Sequence, residues 1–185
     1  MAVIVSMLRA VNLGSHNQVQ MTALRALYEA LGLQDPQTYV QSGNVVFRTK
    51  ERDLAALAGK IEKAIERSFG FRTPVIVRTL SELRDVARRN PFARRSGIDP
   101  RKLLVMFLAS HPVAEAREQV LKIKTEPEEL RIDGREAYMY FPNGMGRPKV
   151  SWVAIEKKLK TSGTGRNWNS VTKLLEIAER LQLDE

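Results

Sequence analysis

The chain of 185 residues contains no cysteine, which excludes disulfides and thiol chemistry of any kind. Its two histidines, His16 and His111, stand in no cluster with aspartate or glutamate at metal-ligand spacing. A G-x-S-x-G elbow and paired catalytic carboxylates are also missing. The residues thus offer no metal centre, and no cofactor is expected. Long apolar runs are absent too. The N-terminal run Ala2-Val3-Ile4-Val5 has no basic flank and is too short to cross a bilayer. A cytoplasmic protein with no membrane partner is the expectation, and the lack of cysteine fits a reducing compartment. Aromatic residues make up 6% of the chain, and the first strand carries none. That counts against an open sheet that stacks RNA bases on aromatic side chains.

What is present is enough apolar material for a core, at 43%, and an excess of positive charge, +9 overall. Such a charge favours a nucleic acid or a phosphorylated small molecule as partner, although a merely soluble basic surface explains it equally. The excess is clustered. Residues 84–102 hold seven basic and two acidic side chains, and residues 147–173 hold seven and one.

Residues 2–8 are apolar on both alternating faces, as a strand covered on both sides requires. A polar loop, 9–20, leads to a helix over 21–31 with Leu24, Leu27, Tyr28 and Leu31 on one stripe. Residues 38–49 read as a β-hairpin with the tip Gln41-Ser42-Gly43-Asn44, since Gly and Asn tolerate the positive φ of a tight turn. A helix over 53–69 and a strand over 74–78 complete the order β-α-β-β-α-β. Ser81 offers an N-cap for a helix that Asn90-Pro91 stops. The second half gives a strand at 103–109, a helix at 112–123, a hairpin at 129–141, a helix at 150–159, a flexible turn at 161–165 and a last helix at 168–183. It repeats the first order but lacks a closing strand. The fold class expected is α+β, with two packed ferredoxin-like subdomains. The first spans 1–80, a helix and basic connection span 81–102, and an incomplete second subdomain with an extra C-terminal helix spans 103–185.

In that layout the first and third strands pair antiparallel at the centre of the sheet. Arg9 and Asn12, just past strand one, then lie beside Gln41, Ser42 and Asn44. The first helix starts at the same edge, where its free N–H groups and dipole favour an anion and Arg9 adds a full charge. Gly14 permits a sharp turn or a close backbone approach. These residues form a candidate ligand-binding edge; equally, the polar side chains serve only to satisfy the turn itself. His16 has no acid partner and reads as a solvated loop histidine. Arg166, before the last helix, opposes the helix dipole unless an anion is near, and Asn167 or Asn169 suits the N-cap there. Lys149 closes the basic loop 144–149, which matches no phosphate-loop pattern.

Taken together, several stretches resemble the uncharacterised bacterial family called domain of unknown function 1697. They are Leu8-Arg9-Ala10-Val11-Asn12-Leu13-Gly14, the whole of 38–47, Pro74-Val75-Ile76-Val77-Arg78-Thr79, Asn90-Pro91-Phe92, and Arg166-Asn167-Trp168-Asn169-Ser170-Val171-Thr172-Lys173-Leu174. The family's first loop reads R-G-x-N-x-G-G, and here Ala10 and Ser15 replace two of its glycines. Where the family often has Ser-Lys, this chain has Pro148-Lys149 and no hydroxyl. The resemblance implies an α+β fold of two ferredoxin-like halves and brings no established activity. Three functions stay open on the sequence: binding of a phosphate-bearing ligand or nucleic acid at the 9–17 and 41–44 edge, a small enzyme acting on an anionic metabolite, and a purely structural interaction module.

Overall fold

The structure is a computed structural model, and it describes residues 1–146 and 148–184. Arg147, in the basic loop read from the sequence, lies outside the described residues. The chain divides into two units, Met1–Asp85 together with the chain from Thr172 on, and Val86–Val171.

The first unit carries β1 (Ala2–Leu8), α1 (Met21–Ala30), β2 (Gln34–Tyr39), β3 (Asn44–Thr49), α2 (Leu54–Phe69), β4 (Val75–Thr79) and the greater part of α3 (Leu80–Arg88). Its sheet has the order β2-β3-β1-β4, antiparallel throughout. The alternation of β1 sends Ile4 and Leu8 to one face, where they pack with Phe47, Val77, Leu24, Tyr28, Leu57, Ile61 and Ile65. Ser6 shares that face without an unpaired hydroxyl: its Oγ lies 2.8 Å from the Tyr28 hydroxyl. Val3, Val5 and Met7 are buried on the opposite face. The expectation that β1 is covered on both sides therefore holds.

The second unit carries a short 3-10 turn, Pro100–Lys102, then β5 (Leu103–Leu108), α4 (Ala114–Leu121), β6 (Glu129–Asp133), β7 (Glu136–Tyr140), α5 (Trp152–Leu159) and β8 (Gly163–Asn167). Its sheet, β6-β7-β5-β8, is again antiparallel. The last helix, α6 (Trp168–Leu183), starts directly from β8. The class is α+β with two four-stranded antiparallel sheets and six α-helices among the described residues.

The second unit does have a closing strand, β8, over residues read from the sequence as a turn and a helix start. Its residues, GTGRN, show no apolar alternation, and two glycines read as a turn. The glycines are there for space. A Cβ at Gly165 would stand 2.7 Å from Met106 Sδ, and one at Gly163 would stand 3.0 Å from the Phe107 carbonyl oxygen. Two further readings are corrected. Strand β2 begins at Gln34 and contains Pro36, which an edge strand tolerates because its outer N–H has no ladder partner. The helix after β4 is capped from Thr79, not Ser81. Thr79 Oγ1 accepts from the Glu82 N–H at 3.1 Å, and Glu82 Oε2 accepts from the Thr79 N–H at 2.8 Å, a reciprocal capping box.

The two sheets share one register. Val5 pairs with Val46 and Arg78, and Val105 pairs with Tyr138 and Arg166. Both arginines are buried, and each donates to the carbonyl of its preceding residue, at 2.9 Å to Val77 and 2.8 Å to Gly165. The turn positions match as well: the Leu8 N–H bonds the Gly43 carbonyl, and the Leu108 N–H bonds the Arg135 carbonyl.

In the second unit the position corresponding to Asn44 is Glu136, a buried carboxylate. Arg89 reaches it at 3.4 Å and also pairs with Asp133 at 3.0 Å. Arg89→Ala is expected to cost about 2 kcal/mol, because it strips a charged partner from a carboxylate that has left water. Urea denaturation measures it. A change below about 0.5 kcal/mol, the size of an ordinary surface substitution, would mean that this pair is solvent-screened and idle.

Candidate functional site

The edge where β1 ends is built by a short chain of constraints. Leu8 ties its N–H to Gly43, and Arg9 ties its N–H to the Pro74 carbonyl at 3.0 Å while its own carbonyl accepts from Thr73 Oγ1. The loop then leaves the sheet and folds back through Asn12. Asn12 Nδ2 donates to the Gln41 carbonyl at 2.7 Å and to the Val19 carbonyl at 3.0 Å, and Asn12 Oδ1 accepts from the Val19 N–H at 2.8 Å. One side chain thus joins the two ends of the loop to the hairpin tip. Asn44 is fully buried and holds the tip from beneath, donating to the Tyr39 carbonyl at 3.1 Å and to Ser42 Oγ at 2.8 Å.

Backbone strain concentrates at this edge. Of six non-glycine residues with positive φ among the described residues, four lie here: Ala10, Asn12, Asn17 and Val40. Asparagine visits this region readily; a β-branched valine at φ 51° does not. Val40 is also half exposed, and Leu13 at the turn of the loop is exposed. The surrounding bonds hold a conformation that the local sequence disfavours.

Between loop and tip lies an open cleft of about 560 Å³, lined by Asn12, Gln18, Val19, Gln20 and Gln41. Helix α1 begins at its wall. Gln20 occupies the N-cap position without capping: no side chain accepts from the first turn, and that turn contains no acidic residue. The positive end of the α1 dipole and its unsatisfied N–H groups are therefore available there. Four of the five lining side chains are amides or donate through amides, and none titrates near neutral pH. The chemistry on offer is neutral hydrogen-bond donation toward an acceptor-rich group.

Asn12 and Gln41 line the cleft, and Ser42 and Asn44 sit behind it in the tip. Arg9 is half buried at the strand exit. Gly14 is at the exposed bend, and its carbonyl accepts from Gln18 Nε2 at 2.7 Å. Nothing in the sequence marks Gln18, Val19 and Gln20; only their place before a helix with no Ser, Thr, Asp or Asn at its cap distinguishes them. Lys149, Arg166, Asn167 and Asn169 belong to the second unit. There Arg166 is buried, donates to Thr164 Oγ1 at 2.9 Å, and is pushed down to about 10 by that burial. Asn167 is the cap of α6, its Oδ1 accepting from the Ser170 N–H at 2.8 Å. Asn169 is exposed in the first turn of α6, and the Lys149 N–H reaches Glu128 Oε1 at 3.3 Å.

A second cleft, about 360 Å³, lies between α2 and residues 72–74. Its carboxylates are already committed, Glu62 to the Val75 N–H at 2.8 Å and Glu66 to Arg72 at 2.8 Å. Among the described residues no group of three or more His, Asp or Glu is placed to hold a metal, and no helix is long and apolar enough to cross a membrane.

Compared with known proteins, residues 1–138 match the family described as protein of unknown function, DUF1697. No curated protein matches. Among solved structures, the conserved bacterial protein SP0830 from Streptococcus pneumoniae is similar with a TM-score of 0.72 and 19% identity, over 96% of this chain and 98% of that one. At that identity the likeness establishes the fold.

Proposed function

The chain belongs to the DUF1697 family of proteins of unknown function, and from the cleft itself we propose that it binds a small phosphate-bearing ligand between the 12–20 loop and the hairpin tip. The single observation that carries this reading is an uncapped helix start opening on a cleft of small-molecule size. A helix N-terminus left without an acid or a capping hydroxyl gives up about 1 kcal/mol of stability, and an anion recovers it. Amide donors from Gln20 and Gln41 then orient the phosphate oxygens. The lining holds no acid, base or nucleophile, which favours binding over acid–base catalysis.

Calorimetric titration with inorganic pyrophosphate tests the reading. The wild type binds, with weak salt dependence because the donors are neutral. Gln20→Glu places a carboxylate where the anion sits. It raises stability by about 0.3–1 kcal/mol through its charge at the positive end of the helix dipole, and lowers affinity at least tenfold. Equal binding by the variant would remove α1 from the site, and silence of the wild type toward phosphate, pyrophosphate and nucleoside phosphates would end the proposal.

A further inference from the structure

The shared register of the two sheets supplies an internal control: whatever surface charge the fold itself requires, both units require alike. They do not carry it alike. Val86–Val171 holds 17 of the 30 Lys and Arg residues and 9 of the 21 Asp and Glu, a net of +8, which leaves +1 for the rest of the chain. The excess is therefore a property of the second unit and not of its architecture.

Part of it lies on the helical layer. Helices α4 and α5 pack against each other. Arg117, Lys122 and Lys124 are exposed on α4 and the turn after it, and Lys157, Lys158 and Lys160 are exposed on α5 and its end. Among the described residues, no salt bridge engages any of the six. Four acids stand among them: Glu156 accepts from the Gly163 N–H at 2.7 Å, Glu115 accepts from Gln119 at 3.3 Å, and Glu118 and Glu126 are exposed, so the six cations exceed the acids by two. In the first unit two of the four cations of the corresponding layer are used internally, while Lys63 and Arg67 stay exposed on α2. Arg25 donates to Thr38 Oγ1 at 3.0 Å, and Lys60 donates to the Leu31 carbonyl at 3.1 Å.

We propose that the α4–α5 face of the second unit docks the phosphate backbone of duplex nucleic acid, independently of sequence and of the cleft in the first unit. Lysine dominates the patch, and an ammonium is a point charge suited to phosphate without bidentate readout. The helices are each eight residues, about 12 Å long, so side by side they span several phosphates of a duplex that carries one charge per about 1.7 Å. Among the described residues no aromatic side chain is fully exposed, and Trp152 on α5 is packed against the core of the unit, so the patch offers no open platform for unpaired bases. That selects the duplex over the single strand.

The test is fluorescence anisotropy of a labelled mixed-sequence duplex of about 20 bp with the full chain, between about 25 and 200 mM NaCl. Four to five phosphate contacts predict a slope of log K against log salt of about −4. The triple variant Lys122→Glu, Lys157→Glu, Lys158→Glu loses at least about tenfold in affinity and flattens the slope by about three, and the same three positions changed to Gln flatten it nearly as much. Lys63→Glu with Arg67→Glu, on the exposed face of α2, changes affinity less than about twofold. A single strand of equal length binds more weakly. The proposal is overturned if no duplex binding occurs at about 25 mM salt, or if the triple variants bind like the wild type. Equal loss in the α2 control would overturn it as well, as would tighter binding to phosphatidylserine vesicles than to the duplex.

Discussion

Gly43→Ala is expected to destabilise the protein by about 3 kcal/mol and to abolish phosphate binding. Two independent costs add. Gly43 sits at φ 72°, where an L-residue with a Cβ pays about 1 kcal/mol or more. The added Cβ would also stand 2.7 Å from both Leu8 Cβ and Val11 Cγ2, closer than real contacts allow. Neither neighbour can retreat cheaply: Leu8 is fully buried in the core, Val11 is 3% exposed, and overpacking of this kind costs about 1–3 kcal/mol. The tip must lift, and the Leu8 N–H to Gly43 carbonyl bond lifts with it. The denaturation midpoint reports the first effect and pyrophosphate titration the second. A loss under about 1 kcal/mol would mean that the tip does not rest on strand one.

Asn12→Ala is the second large effect, about 2–3 kcal/mol with at least tenfold weaker phosphate binding. Three hydrogen bonds at 2.7 to 3.0 Å disappear together, each worth about 0.5–1.5 kcal/mol, and alanine is less at ease than asparagine at φ 54°. Asn12→Asp separates structure from charge. It keeps the acceptor for the Val19 N–H and the tolerance for positive φ, but it sets a carboxylate beside the Gln41 and Val19 carbonyls at the cleft wall. Its stability should fall between the other two proteins, while its phosphate binding should be as poor as that of the alanine variant. Binding retained by Asn12→Asp would show that the cleft is not where the anion sits.

Much of the fold is legible because its signals are periodic. The two-sided apolar strand at 2–8, the leucine stripe of α1 and Gly70, which ends α2 in the left-handed region at φ 76°, each state one physical requirement. Elements shaped by contact instead of periodicity are the ones the sequence hides. Strand β8 reads as a turn because its glycines answer to Met106 and Phe107, residues far off in the chain. Strand β2 begins inside QDPQ because an edge strand escapes the rule against proline. Arg166 reads as a cation at a helix start that calls for an anion, yet it is a buried strand residue matched by Arg78 in the other sheet.

The candidate site divides along the same line. Strand pairing dictates that the exit of β1 meets the entry of β3, so the nearness of Asn12 to Gln41 follows from topology alone. What no residue pattern reveals is the role of Gln18, Val19 and Gln20. They line the cleft because the loop folds back on Asn12, a fact carried by three hydrogen bonds and not by composition.

Amide chemical shifts offer the most direct check that the first helix, the loop and the tip form one anion-binding wall. On titration with inorganic pyrophosphate, saturable shifts are expected at the backbone amides of Gln20, Met21, Thr22 and Ala23 and at Gln41, with the amides of α2 unmoved. Shifts confined to the 59–74 cleft, or to the lysines of α5, with α1 silent, would contradict it.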